Sequence, residues 1–427
     1  MIFRPSRHTF IIERRYTPYM RIRTLMAFLL SLACADLSGS CQNIPSSCRT
    51  NDWFELQSQA DAGVVSLLCR GVISASLERR AAAEHMLRNI MGENSNRESI
   101  VAAHEALGNM YYREGRYRLA LNQLDLELAA DPNAADAREV RPFFAALARQ
   151  PDLEVLSSAP SRFKGEVVAN NLFLPVKANG IAGSYIVDSG ANISALSQSE
   201  AGRLGLNISQ TASRASDISG ISIGAQVTEI SDLWVGKTHL KHVAFLVYPD
   251  SSEPFSYLPD AHKGVLGIPV LIALGIMRID KNLNIEVNSR FAPSIVRTLP
   301  LVFNGATPVT QVSVNGKPAS FILDIGATRT YLYPSVVKVV PEFMQKGRRQ
   351  YERITGVSGD TALASIVLPS VQLSLGRTVL LSPATVLLNV GTGNSRWAAG
   401  NLGYDLISKD LPVILDFKKM QIVFEAH

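Results

Sequence analysis

The chain has 427 residues, 47% of them apolar and 19% charged, which suits about two to four packed domains and excludes a disordered, solvating chain. Its 42 Lys+Arg against 37 Asp+Glu leave a net charge of +5 spread without a long basic run, so nucleic acid is not an expected partner. No apolar stretch reaches the roughly 18 residues of a spanning helix, and four cysteines do not make a disulfide scaffold.

Near the start, Arg21 and Arg23 precede the apolar Leu25-Met26-Ala27-Phe28-Leu29-Leu30, and Ala33-Cys34-Ala35 follows. A basic flank, a short apolar run and a small-residue exit form the pattern of a secretory signal peptide over 1–35, cleaved before Asp36. Export to a periplasmic or extracellular space is therefore expected, with a lipid anchor as the lesser reading and no integral membrane segment after cleavage. In an oxidising compartment Cys41, Cys48 and Cys69 allow one disulfide and one spare thiol; Cys41 and Cys48 are the nearest pair.

Residues 36–155 read as a helical domain. Glu78 to Met91 has helical periodicity, and Ser95-x-x-Glu98 has the spacing of a capping box for the next helix. Leu107-Gly108-x-x-Tyr111, Ala120, Leu124 and Pro132 resemble a tetratricopeptide repeat, with His104 where Trp is usual. That resemblance implies two antiparallel helices brought close by Gly108 and Ala120. It leaves two roles open, a spacer or prodomain and a docking surface for a protein partner. Residues 156–165, with Ser157-Ser158-Ala159-Pro160-Ser161, read as a linker.

Beyond residue 165 short Val/Ile/Leu/Phe runs alternate with Gly, Asn, Ser and Pro, which predicts an all-β region. This region repeats itself. Asn179-Gly180 returns as Asn315-Gly316, and Tyr185-Ile186-Val187-Asp188-Ser189-Gly190-Ala191 as Phe321-Ile322-Leu323-Asp324-Ile325-Gly326-Ala327. Ile218-Ser219-Gly220 returns as Ile354-Thr355-Gly356, and Gly264-Val265-Leu266-Gly267 as Gly400-Asn401-Leu402-Gly403. Every pair stands 136 positions apart, as 188 does from 324, so the chain carries an internal duplication with lobes at 166–295 and 296–427. In each copy an apolar strand ends in an acid followed by x-Gly-Ala. A carboxylate placed there is costly alone, and two supplied by two copies imply that they meet.

These motifs resemble the aspartic proteases, specifically the retropepsin-like group, over roughly residues 166–427. The resemblance implies a mainly β, two-lobed fold, related by a pseudo-two-fold axis and preceded here by the helical domain. It implies that Asp188 and Asp324 are a catalytic dyad hydrolysing peptide bonds with an activated water, in loops formed by Ser189, Gly190, Ala191, Ile325, Gly326 and Ala327. Hairpins carrying Ser219, Gly220, Thr355 and Gly356 would be substrate-binding flaps over an extended peptide or protein substrate. Both acids lie in one chain, so a monomer is the expected active unit, and the chemistry requires neither metal nor cofactor.

Two departures carry expectations of their own. Ser189 keeps the hydroxyl that the family uses to bond across to the opposite loop, whereas Ile325 replaces it in the second copy. Ala191 and Ala327 stand where pepsin-type enzymes carry Ser or Thr, so the dyad is expected to titrate high and to work above the strongly acidic range. The rival reading is a catalytically weakened peptide-binding module. Gly220-Ile221-Ser222-Ile223-Gly224 spells the nucleophile elbow of hydrolases, but that motif requires a helix directly after it, and a hairpin tip is expected here instead.

Overall fold

The computed structural model describes residues 44–425, apart from 93–94, 210–211, 217–221, 290–294, 342–346, 357–358, 376–377, 389, 391–396 and 408–411. The expected signal peptide with its cleavage site, and Cys41, lie outside the described residues, as do Ser219 and Gly220.

Six helices come first: α1 Trp53–Asp61, α2 Leu67–Ser76, α3 Arg80–Gly92, α4 Arg97–Arg113, α5 Tyr117–Ala130 and α6 Ala135–Leu147. The cap of α4 is Asn96, one residue beyond the expected Ser95: its side chain accepts the Ser99 N–H at 2.9 Å. Glu98 does not reach back as a capping box requires; it takes the Ser46 hydroxyl at 2.5 Å. The close approach of α4 and α5 is as expected, since a Cβ on Gly108 would stand 3.4 Å from that of Gln123. Leu107, Tyr111, Ala120 and Leu124 are buried between the helices, and His104 is held by Gln123 at 2.9 Å.

The disulfide differs from the nearest-pair expectation. Cys48, in the single turn Ser46–Cys48, is bonded to Cys69 at the start of α2, a separation of 21 residues. Both are buried with Cα atoms 5.7 Å apart, so packing of the turn on α2 chose the partner. Cys48→Ser should lower the stability of the helical unit by about 3 kcal/mol, from loop-closure entropy. A helix-specific melting signal checks this, and an unmoved midpoint would contradict it.

The segment read as a linker is instead part of the β body. Glu154–Ser158 pairs with Thr238–Tyr248, and Ser161–Lys164 pairs with Asn284–Val287. The first is exposed along its whole length, Val155 and Leu156 included, so it is an edge strand held by main-chain pairing.

Both copies fold as the duplication demands. Asn171–Ala178 turns into Ile181–Val187 at Asn179-Gly180, and Thr307–Val314 into Lys317–Leu323 at Asn315-Gly316. All four turn residues have positive φ (47° and 83°, then 46° and 85°), the requirement of a two-residue hairpin turn. A six-stranded antiparallel seam joins the lobes, in the order Ile295–Asn304, Gln421–Glu425, Val413–Asp416, Ile276–Ile279, Asn284–Val287 and Ser161–Lys164. At its centre Arg278 pairs with Ile414, its own counterpart 136 positions on, while Met277↔Leu415 and Ile279↔Val413 exchange under the same shift. The pseudo-two-fold axis therefore passes through the Arg278–Ile414 pair.

The helical unit is seated on the second lobe by one buried cation. Arg113, 1% exposed, donates to Glu78 Oε1 at 2.6 Å, to Ala75 O at 2.7 Å and to Gly305 O, and lies 4.6 Å over the Phe303 ring. Nothing in the sequence around Arg113 marks it.

Candidate active site

The acid strands Ile181–Val187 and Lys317–Leu323 each run parallel to a short strand, Gly264–Leu266 and Gly400–Leu402, that cradles the loop after the acid. The same bonds recur in both copies. Asp188 N donates to Leu266 O at 3.1 Å and Asp324 N to Leu402 O at 3.0 Å; Ile268 N reaches Ala191 O at 2.9 Å and Tyr404 N reaches Ala327 O at 2.7 Å. Gly267 and Gly403 leave room for that contact: a Cβ on either would fall 2.5 Å from the backbone of Ile193 or Arg329. Sequence reading missed one matched pair: the hydroxyls of Ser194 and Thr330 accept the Gly267 and Gly403 N–H groups at 3.0 and 2.9 Å. They also stand 136 positions apart, so the duplication carried the signal.

The structure brings the two loops together. A Cβ on Gly190 would lie 2.6 Å from Asp324 Oδ1, and one on Gly326 would overlap the Asp188 carboxyl group. Each acid is thus packed against the loop of the other, and this close approach is why both loops need Gly. Ser189 bridges them, donating to Leu323 O at 2.8 Å and accepting the Ile325 N–H at 3.0 Å. Ile325 cannot reciprocate, but its own N–H is satisfied and its side chain is fully buried, so the second loop keeps its place through packing. Ala191 and Ala327 are also fully buried.

Asp188 Oδ1 accepts the N–H of Gly190 at 2.8 Å and of Ala191 at 3.1 Å; Asp324 Oδ1 accepts that of Ala327 at 3.0 Å. The outer oxygen of each, Oδ2, has no hydrogen-bond partner in the protein. Both acids are 0% exposed. Burial pushes the Asp324 carboxyl up to about 7; burial, and then the charge of Asp324, push Asp188 well above the usual carboxylate range. Two unpartnered carboxyl oxygens facing a low-dielectric spot suit a proton held between them.

Arg348–Gly356 and Gly359–Leu368 form the second-copy hairpin, and its tip end, Ile354 to Gly356, is buried. Ile354 and Leu363 pack on Tyr331, Tyr333 and Leu387 in a small cluster apart from the main core. The Thr355 hydroxyl bonds Asp360 of its own hairpin at 2.5 Å, so it braces the tip. In the first copy Ala212–Ser216 pairs with Ser222–Val235, and the latter strand runs on directly from Ser222, unlike a nucleophile elbow. The described structure is a closed site.

The profile of the family described as aspartyl protease matches the chain twice, over residues 174–270 and 310–406. Each lobe matches the aspartyl protease family once. The two aspartyl protease segments begin 136 positions apart, the spacing of the duplicated motifs. Among solved structures, a retropepsin-like aspartic protease from Rickettsia conorii is similar at 21% identity and a TM-score of 0.22, over 32% of this chain and 92% of its own. The retroviral protease-like domain of Ddi1 from Leishmania major is similar at 18% identity and a TM-score of 0.17, over 29% and 93%. No curated protein sequence matches the chain.

Proposed function

We propose that the chain is an aspartic endopeptidase in which Asp188 and Asp324 share one proton and activate one water. The observation that carries this reading is the reciprocal packing of each acid against the other's Gly loop, with both outer carboxyl oxygens unpartnered. Like carboxyl groups this close cannot both ionise, so one acts as base and the other as acid. The substrate would be an extended peptide or protein segment held by main-chain bonds beneath a flap. The rival reading, a cleft that has lost turnover, drew on Ile325; the Ser189 hydroxyl bond to Ile325 N weakens that argument.

Both acids come from one chain, which supports a monomeric active unit. The Cys48–Cys69 bond supports an exported protein in an oxidising compartment. The Arg113 seat favours the helical unit as a fixed brace rather than a removable prodomain.

The test is cleavage of an unfolded protein across pH. The pair needs one proton to work, and burial raises both acids, so the singly protonated form persists toward neutral pH. The rate is expected to peak above the strongly acidic range. A maximum below about pH 3, or no cleavage at any pH, would contradict the reading.

A further inference from the structure

The second hairpin has an edge strand that needs a hold of its own. Among the described residues Arg348–Gly356 ends its sheet and pairs only with Gly359–Leu368. Alternate residues face inward: Gln350 and Glu352 are half-buried and Ile354 is buried, whereas Arg349, Tyr351 and Arg353 are exposed. The tip rests on the apolar cluster around Tyr331 and Tyr333. Further back, at Glu352, the contact turns polar.

Glu352 Oε1 takes two side-chain donors from the body of the lobe, the Arg329 guanidinium at 3.1 Å and the Tyr331 hydroxyl at 2.9 Å. Gln350, on the same strand, reaches Oε2 at 3.4 Å. The Glu352 side chain is 14% exposed, so the ion pair escapes much of the screening that weakens a surface pair. The first copy has no such contact to make, because Ile193, Ala195 and Ser216 stand at the positions of Arg329, Tyr331 and Glu352. Three groups of matched chemistry, present in one copy alone, set this contact apart from the duplicated framework.

The far end of the contact is anchored in the loop that follows Asp324. The Arg329 backbone is packed on Gly403, where a Cβ would fall 2.5 Å from the Arg329 carbonyl carbon, and its carbonyl accepts the Asn401 amide at 3.4 Å. The next residue, Thr330, accepts the Gly403 N–H at 2.9 Å and donates to Asp405 at 2.8 Å. A pull on Arg329 is therefore a pull on the loop and cradle that hold Asp324. Arg329, Tyr331 and Glu352 also line a cavity of about 220 Å³, so the pair can part into open space without displacing packed side chains.

We propose that Glu352 is a positioning residue, a latch that fastens the second hairpin to the loop of Asp324 through Arg329 and Tyr331. The latch deepens the protease reading and rests on it for its catalytic meaning: both acids are fully enclosed, and an extended substrate reaches them only when a cover moves. Releasing Glu352 frees the hairpin. Re-forming its two bonds closes the hairpin and returns the Asp324 loop to its place in one event.

Hydrogen exchange of the full chain, read by mass spectrometry, tests the latch without requiring activity. Glu352→Gln keeps the shape and loses the charge. Its amides over 348–356 and 359–368 should exchange about tenfold faster, while those over 222–235 keep the parent rate. Added salt should speed the same amides in the parent chain and do little in the variant. Arg329→Glu should also loosen the hairpin, and combining it with Glu352→Arg should restore the parent rate. With a cleavable peptide, Glu352→Gln should raise KM roughly fivefold and leave kcat within about twofold, and the charge-swapped pair should bring KM back. Should the swapped pair fail to fold, Glu352→Gln and the salt series still decide. Unchanged exchange in Glu352→Gln, equal acceleration of both hairpins, or a lower melting temperature with KM unmoved would overturn the latch. A chain that cleaves nothing would sink the protease reading alone, because the exchange would still be read.

Discussion

Asp324→Asn is expected to lose peptide cleavage by about a thousandfold or more while melting no lower than the parent chain. The loss follows because an amide can neither take the proton of the water nor return it to the amine. The stability result follows from linkage. Burial raises the folded-state pKa of Asp324 from 3.8 to about 7, so the folded chain holds a proton that the unfolded chain has released. That contribution is fully present below the unfolded value and is lost as pH rises toward 7. The Asn variant has no such loss, so its melting temperature should match the parent's near pH 4 and exceed it near pH 8. Asp188→Asn should behave alike, since burial raises Asp188 as well. A variant that keeps a tenth of its activity, or melts lower at both pH values, would contradict the placement of these acids.

Arg113→Ala should cost about 3–5 kcal/mol of stability, because it leaves the buried Glu78 without its cation. It also removes the donors to Ala75 O and Gly305 O and the contact over Phe303, through which the helical unit is seated. Burial already pushes Glu78 up, held back chiefly by the Arg113 charge. Without Arg113 it must bind a proton in the folded state, so the deficit should be larger at pH 8 than at pH 5. Arg113→Lys should recover little, since one ammonium cannot reproduce the forked contacts. Pairing Arg113→Met with Glu78→Gln should recover most of the loss. Denaturant unfolding of the full chain measures this; a deficit below about 1 kcal/mol would show that the seat is held by other contacts.

What the sequence revealed was governed by the duplication. Motifs repeated at 136 positions located both acids, their Gly loops, the hairpin turns and the cradle glycines, because each motif encodes a local steric demand met twice. The Gly demand proved sharper than a tight turn: the opposite carboxyl fills the space a side chain would need. Features made by one copy alone were less legible. Asn401 and Tyr333 break the repeat, since Val265 and Ser197 hold the matching positions. The strand Glu154–Ser158 was hidden because its adjacent Val155 and Leu156, both exposed, lack the alternation of a half-buried strand. The choice of Cys69 over Cys41 and the Arg113 seat depend on packing between distant segments, which no local pattern records.

The central claim is that the two lobes supply one acid each to a single hydrolytic centre. Calorimetric titration with a peptide whose scissile carbonyl is replaced by a secondary hydroxyl tests it most directly. One such mimic should bind per chain, with uptake or release of a proton, and binding should be severely weakened by Asp188→Asn and by Asp324→Asn alike. Binding that survives either substitution undiminished would contradict it.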